Sequence, residues 1–175
     1  EAGSPVAALP LRFVVPTAPL VGSAEGDDRL AGGRSNDALF GLGGDDRLEG
    51  DAGDDVLVGG PGRDLYRGGK GADLVRLGVV TALDAPGRPD GPDRFLDFRA
   101  EEGDLVDLAP LLDGTGFTAD RADRFVRFLR DEAEGAVAVQ LDLAGLGGAQ
   151  GWTTALLVEG MLDERLVAGR TLLEA

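Results

Sequence analysis

Six aspartates recur at intervals of nine residues between Ser23 and Arg76, each at the sixth position of a glycine-rich nonapeptide. A carboxylate is a hard oxygen ligand, and carboxylates set in turns that also offer backbone carbonyls suit Ca²⁺. The alternative is a solvated aspartate that caps its own turn, which does not require one register throughout the array. We therefore predict calcium ligands in this column. Its members are Asp28, Asp37, Asp46, Asp55, Asp64 and Asp73.

Glycines surround the aspartates, and we expect them to turn the backbone so that carbonyl oxygens face a cation. The fifth position could add side-chain oxygens, except where Arg63 and Ala72 occupy it, so sites toward the end should be weaker. The fifth-position candidates are Asp27, Asn36, Asp45 and Asp54. The glycines predicted to contribute to the sites are Gly26, Gly41, Gly43, Gly50, Gly53, Gly59, Gly62, Gly68 and Gly71.

Short strands must position these turns, because the eighth position of every nonapeptide is apolar or aromatic. In a strand of three residues the middle side chain points inward while its neighbours face solvent. Tyr66 stands in this column and is expected in the core, whereas Phe40 is a better candidate for the surface. The inward column is Leu30, Leu39, Leu48, Leu57, Tyr66 and Val75.

The composition excludes several function classes. The formal net charge is −15, which disfavours nucleic acid and anionic membrane surfaces as partners and favours a cation. The chain has no Cys and no His, so zinc, iron-sulfur, haem, thiol and Ser-His chemistry lack their usual side chains. No apolar run reaches the ~18 residues of a membrane span. We expect no catalysis in this chain, which begins at Glu1 and is interpreted as a fragment that an enzymatic domain could precede.

The nonapeptides resemble the GGxGxDxUx repeat of the RTX (repeats-in-toxin) family, the hemolysin-type calcium-binding repeat. Departures from that pattern occur at Ser23, Ala24, Ser35, Leu42 and Asp51. The resemblance implies an all-β fold in which residues 22–76 form a parallel β-roll of about six nonapeptide half-turns. The cofactor that it implies is Ca²⁺, bound as several ions.

In such a roll each nonapeptide reverses the chain direction, so the turns on one edge come from copies eighteen residues apart. Asp28 is then expected beside Asp46, and Asp46 beside Asp64. Adjacent carboxylates and nearby carbonyls would supply the six or so oxygens that Ca²⁺ prefers, giving about four interior sites. Without metal the paired carboxylates repel, so we expect the metal-free roll to be disordered. The opposite edge would carry Asp37, Asp55 and Asp73.

The flanking segments suggest caps. Residues 1–21 are interpreted as a linker or a strand cap, with a strand over residues 11–15 favoured. Residues 77–108 suggest two roll-closing strands around an acidic loop, and residues 93–108 resemble an element that closes RTX rolls. A role in calcium binding stays open there against a solvated position. The acidic residues concerned are Asp93, Asp97, Asp104 and Asp107.

Residues 109–175 predict a helical turn near residues 118–124, a hairpin around residues 131–135, a glycine-rich loop at 144–151 and a strand at 153–160. This β-rich region is similar to the C-terminal target region of RTX proteins exported by type I secretion. The resemblance implies a secreted bacterial protein, extracellular or on the cell surface, whose roll folds on Ca²⁺ outside the cell. The type I secretion machinery would be its partner during export.

A carbohydrate-binding or surface-adhesion module is the alternative function, with extracellular polysaccharide as the partner. Such a module should present an exposed basic or aromatic stripe. Arg29, Arg47 and Arg67 fall at outward positions, but acidic Glu49 and several aliphatic residues interrupt the stripe. The pattern therefore favours the calcium-dependent secretion module.

Overall fold

The computed structural model describes residues 18–78, 91–112, 124–142 and 151–160. Their regular secondary structure is almost entirely β, with one short helix, α1, at Ala109–Leu112. None of their helices is long and apolar enough to cross a membrane. The strands are β1 Leu20–Val21, β2 Arg29–Gly33, β3 Ala38–Phe40, β4 Arg47–Ala52, β5 Val56–Val58, β6 Leu65–Lys70, β7 Leu74–Arg76, β8 Asp93–Phe95, β9 Leu105–Asp107, β10 Val126–Asp131, β11 Ala136–Leu141 and β12 Thr153–Val158.

Successive strands alternate between two sheets. One sheet has the order β1-β3-β5-β7-β9, and the other has the order β10-β11-β12-β8-β6-β4-β2. All pairs among β1 to β9 are parallel. Each nonapeptide therefore reverses the chain and passes it to the opposite sheet. The prediction of an all-β fold built on a parallel β-roll is confirmed.

The inward column forms the core between the two sheets. Leu48 pairs with Leu30 and Tyr66 in one sheet, while Leu57 pairs with Leu39 in the other. Leu48, Leu57 and Tyr66 are fully buried. The strands are only a few residues long, so burial of this apolar stack against the facing sheet, rather than hydrogen bonding alone, stabilises them. Tyr66 is a core residue, as predicted.

The first turn of the roll begins one residue earlier than the sequence pattern suggests. Gly22 donates its N–H to the Phe40 carbonyl, just as Gly41 donates to the Val58 carbonyl. Gly22, rather than Ser23, is therefore the structural equivalent of Gly41. The pattern placed Ser23 first because it assumed nine residues per copy, whereas the first turn holds one more. The strand predicted at residues 11–15 falls outside the described residues.

The roll is closed by the two strands predicted after the repeats. β8 pairs with β6, and β9 pairs with β7, so each sheet gains one strand. The hairpin of β10 and β11 also forms as predicted, and β11 pairs with β12. β12 then pairs with β8 in parallel, which joins the C-terminal strands to the sheet of the roll. The predicted glycine-rich loop and helical turn fall largely outside the described residues.

Candidate calcium sites

The aspartates of alternate copies stack along two edges of the roll. On the first edge Asp46 Oδ1 accepts the backbone N–H of Asp28 at 2.8 Å, and Asp64 Oδ1 accepts that of Asp46 at 3.0 Å. The turns that precede β2, β4 and β6 supply these residues, since each aspartate immediately precedes a strand. The eighteen-residue stacking predicted from the repeat is confirmed.

The second edge has the same arrangement. Asp55 Oδ1 accepts the N–H of Asp37 at 2.7 Å, and Asp73 Oδ1 accepts that of Asp55 at 3.0 Å. Each interior aspartate thus uses one carboxylate oxygen to hold the neighbouring turn. In Asp46, Asp55 and Asp73 the other oxygen is buried and accepts no hydrogen bond from the described residues.

Two further aspartates extend the columns. Asp93 Oδ1 accepts the N–H of Asp64, and Asp104 Oδ1 accepts the N–H of Asp73, both at 3.0 Å. Both residues are buried. The sequence left their role open because they lie outside the nine-residue period, yet a buried apolar residue stands two positions after each of them, Phe95 after Asp93 and Val106 after Asp104. This local match to the sixth and eighth repeat positions is the signal that could have identified them.

Asp97 and Asp107 lie outside the columns. Asp97 accepts the backbone N–H groups of Gly68 and Gly69 at 2.9 and 3.1 Å. Asp107 pairs with Arg76 at 2.7 Å and accepts the N–H of Ala109. Their oxygens therefore stabilise the closing turn and the start of α1.

Four buried carboxylate oxygens are the strongest indication of a metal. Within the described residues, one oxygen of each of four column aspartates is buried and accepts no hydrogen bond. Such a group costs free energy unless a partner satisfies it. An oxygen-seeking cation is a partner that fits acceptor-only oxygens. The four atoms are Oδ2 of Asp37, Asp46, Asp55 and Asp73.

The first-position glycines leave room for these oxygens. A Cβ placed on Gly32 would lie 2.7 Å from Asp37 Oδ2 and 2.8 Å from the Gly50 carbonyl oxygen. A Cβ on Gly50 would likewise meet Asp55 Oδ2 and lie 2.6 Å from the Gly68 carbonyl oxygen. Each glycine thus borders a space that a carboxylate oxygen and a carbonyl oxygen share. Hard oxygens in this combination match the ligand preference of Ca²⁺.

Backbone oxygens must complete any cation shell. In the described parts of the chain, no three acidic side chains converge in the manner of a carboxylate-only metal site. One carboxylate oxygen from the column together with glycine carbonyls is the donor set that the turns offer. The residues therefore fit the predicted cation, with Asp37, Asp46, Asp55 and Asp73 as the side chains that would hold it.

The fifth-position side chains form a separate ladder. Asn36 Oδ1 accepts the N–H of Asp54 at 2.9 Å, and Asp45 Oδ1 accepts that of Arg63 at 2.8 Å. Asp54 Oδ1 in turn accepts the N–H of Ala72 at 3.0 Å. Asp45 and Asp54 are exposed and Asn36 is half-buried. These contacts give the fifth position a structural role in spacing the turns, and a ligand role for it stays a prediction.

Burial also perturbs the acidity of the columns. Desolvation raises the pKa of Asp64 and of Asp73 to about 7, although the N–H donated by the neighbouring turn acts in the opposite direction. The same causes raise the pKa of Asp55 and of Asp104 to about 6. Neighbouring carboxylates add to each shift. A fully ionised metal-free column is therefore unfavourable near neutral pH, and a cation would relieve that cost.

From the second turn to the sixth, the second position has left-handed backbone. Gly33, Gly60 and Gly69 have φ of 121°, 119° and 103° there, but Leu42 and Asp51 occupy the same position with φ of 82° and 73°. A side chain in this region costs roughly 1–2 kcal/mol. The two departures from glycine are therefore strained, yet they preserve the turn.

The glycines predicted from the sequence to contribute to the calcium sites include Gly43 but not Gly44. Gly44 is the fourth residue of its turn with φ of 115°, and a Cβ there would meet the backbone of Gly26 in the turn below. It is thus the equivalent of Gly53 and Gly62, which also have positive φ. The position was missed because adjacent glycines at 43 and 44 look alike in sequence.

Comparison with known proteins agrees with this geometry. A sequence model of the RTX calcium-binding nonapeptide repeat, four copies long, matches residues 23–57 and 40–75. No curated protein matches the chain.

Two solved structures have the same fold. The AlgE6R3 subunit of the Azotobacter vinelandii mannuronan C5-epimerase, a solution structure, superposes with a TM-score of 0.61 at 28% identity, covering 87% of this chain and 81% of that one. The AlgE6R2 subunit of the same enzyme superposes with a TM-score of 0.58 at 24% identity, covering 89% and 92%. The stacked aspartates, the matching repeats and these neighbours together identify the repeat region of this chain as an RTX calcium-binding β-roll.

Proposed function

We propose that this chain is a calcium-dependent folding module in which several Ca²⁺ ions bind along the two edges of the roll. The single observation that carries the proposal is the set of four buried Oδ2 atoms without a hydrogen-bond partner in the described residues. In a metal-free roll, burying each of these oxygens without a partner would lower the stability of the folded state. Ion binding and folding are therefore coupled. Removing the ions should therefore unfold the roll rather than only empty it.

The coupling would make folding depend on the compartment. Extracellular calcium modules bind with Kd values of roughly 10⁻⁴ to 10⁻³ M, so the roll would stay unfolded at the low free calcium of a bacterial cytosol. Outside the cell it would fold. This behaviour suits export of an unfolded chain by a type I machinery, with localisation outside the cell or at its surface. The support for export is the RTX character of the repeats.

Ion counting tests the calcium part. Equilibrium dialysis of the full chain against Ca²⁺ should give several bound ions, and Asp55→Asn should reduce the number or the affinity. Glu101→Gln is a matched control, because Glu101 is an exposed acid outside the columns. A chain that binds no Ca²⁺ at millimolar concentration contradicts the proposal.

Export is tested separately from folding. We propose that the export signal lies within residues 161–175, the last part of the region that resembles a type I target region. A secretion assay should lose the product when these residues are deleted, and the deletion leaves β12 intact. The deletion variant should still fold with calcium in vitro. If export continues without residues 161–175, the proposed signal is wrong while the calcium module can still stand.

A polysaccharide-binding role is the second candidate. It is favoured by the neighbours, which are subunits of an enzyme named for its action on mannuronan. Opposing it, Glu49 accepts hydrogen bonds from Arg29 and Arg47 and neutralises part of the outward basic face. Arg67 stays exposed beside them. Affinity electrophoresis in mannuronan should retard the wild-type chain more than Arg67→Ala if this role applies, and equal mobility rejects it.

A further inference from the structure

Tyr66 departs from the aliphatic residues that fill the inward column. It is the only tyrosine of the chain, and its side chain is fully buried between Leu48 and Phe95 in neighbouring strands. A buried phenol requires a partner for its hydroxyl. The partner of the hydroxyl therefore shows which groups of this turn border the core.

The hydroxyl reaches the aspartates of the first edge. It lies 3.5 Å from Asp64 Oδ2 and 3.3 Å from Asp93 Oδ2, and it donates toward both. Asp64 Oδ2 is consequently not among the buried atoms that lack a partner.

The two edges differ in consequence. On the first edge Asp28 Oδ2 accepts hydrogen bonds from the Ser23 backbone N–H and hydroxyl, which leaves Asp46 Oδ2 as the buried oxygen of this edge that has no partner among the described residues. On the second edge, within the described residues, three such atoms follow one another. They belong to Asp37, Asp55 and Asp73.

The hydroxyl also borders the space beside Gly59. A Cβ on Gly41 would lie 2.8 Å from the Gly59 carbonyl, but a Cβ on Gly59 would lie 2.5 Å from the Tyr66 hydroxyl. At Gly59, therefore, a proton donor borders the space beside the column aspartate. A donor directed at carboxylates satisfies them without a cation.

The first edge ends at this point. β8, which follows Asp64 with Asp93, has β12 as its next neighbour, and Leu156 pairs with Asp93. In the described sheet β12, rather than a further repeat strand, follows β8, so Asp64 and Asp93 form the last aspartate pair of this edge.

We propose that the Tyr66 hydroxyl terminates the calcium line of the first edge by occupying the position between Asp64 and Asp93. The inference rests on the proposed calcium function and adds an inequality: the first edge binds fewer ions than the second. Tyr66 thereby ends the row of calcium ions along the first edge without a metal of its own.

Substitution of Tyr66 by Phe tests this inference, because it removes one oxygen atom and keeps the ring in the core. Native mass spectrometry and equilibrium dialysis of the calcium-saturated full chain should count one ion more in Tyr66→Phe than in the wild type. The double variant Tyr66→Phe/Asp93→Asn should return to the wild-type count. If Tyr66→Phe does not fold with calcium, Tyr66→Leu, the usual residue of the column, replaces it in the same comparison.

An unchanged count in the single variant would overturn the inference, as would the loss of an ion, which would make the phenol a ligand. Failure of the underlying function is distinguishable from either result, since the wild type would then bind no Ca²⁺ at all.

Discussion

Asp73 Oδ1 accepts the backbone N–H of Asp55 at 3.0 Å, while Oδ2 of each residue is buried without a hydrogen-bond partner in the described structure. The two carboxylates thus combine a structural contact with an unsatisfied oxygen. One oxygen sets the spacing between turns, and the other faces the space left by a glycine. Aspartate suits the sixth position because one of its oxygens accepts the N–H of the neighbouring turn while the other faces the space beside the glycine.

Replacing Asp73 by Asn should weaken calcium-induced folding. The amide can still accept the Asp55 N–H through its oxygen, but the charged oxygen that would hold the cation is lost. We expect the calcium concentration at the folding midpoint to rise by at least roughly 10- to 100-fold. That range is the loss of metal affinity seen when a group that only hydrogen-bonds a metal ligand is removed. Circular dichroism during a calcium titration measures the shift. Glu101→Gln should leave the midpoint unchanged, and equal midpoints for both variants would contradict the assignment.

A lower pH should favour folding of the metal-free roll. Desolvation raises the pKa of Asp64 and Asp73 to about 7 and that of Asp55 to about 6, from an ordinary aspartate pKa of 3.8. Raised values favour folding when the groups are protonated, so this contribution is present below about pH 4 and is lost as pH rises through 6 to 7. Far-UV circular dichroism of the calcium-free protein at about pH 4.5 and 7.5 tests the sign, because the β-signal should be larger at the lower pH. A larger β-signal at the higher pH would contradict it.

Calcium affinity should change with pH in the opposite direction. Protons compete with the cation for the same carboxylates, so the apparent affinity should fall as pH decreases from about 7.5 to 5. Titration calorimetry at both pH values in buffers of different ionisation enthalpy should also detect proton release on binding near pH 6.5. Affinity independent of pH, with no proton release, would mean that the buried aspartates are not the ligands.

Glycine at position 42 should stabilise the calcium-loaded roll. Leu42 has φ of 82° and is an exposed hydrophobic residue, so Leu42→Gly relieves backbone strain while losing little burial. We expect a gain of about 1 kcal/mol in the free energy of unfolding. Gly33→Ala is the matched reverse change, because φ is 121° there and a Cβ would meet nothing within 4 Å. It should destabilise by a similar amount, and thermal unfolding that shows equal stability in all three proteins would argue against strain at this position.

Asp97 should stabilise the end of the roll without binding metal. Its carboxylate accepts the N–H groups of Gly68 and Gly69, which a further repeat would otherwise satisfy. Asp97→Ala should lower the free energy of unfolding by about 1–3 kcal/mol, because Gly68 is buried and its N–H would lose its acceptor. The number of bound ions should stay the same. Loss of an ion in this variant would make Asp97 a ligand instead.

The sequence allowed the roll to be predicted where its period is strict. Six aspartates and six inward residues in register determine both the strand alternation and the eighteen-residue stacking, since any other register would expose the column from Leu30 to Val75. The period could not predict Asp93 and Asp104, because a longer connection precedes each of them in the chain.

Other features depend on contacts between distant residues. The extra residue in the first turn becomes visible only through the pairing of Gly22 with Phe40. The burial of Tyr66 was predicted correctly, but the hydrogen bond of its hydroxyl was not. Its partner Asp93 lies 27 residues further along the chain. The nonapeptide pattern thus locates the apolar body of Tyr66 but not its polar end.

A calcium titration of the metal-free full chain, followed by far-UV circular dichroism, tests the central claim most directly. Magnesium serves as the control, since its preference for a tight octahedral shell does not suit these turns. The account predicts a cooperative gain of β-signal with calcium and none with magnesium at the same concentration. A spectrum that is already folded without metal and does not respond to calcium would contradict it.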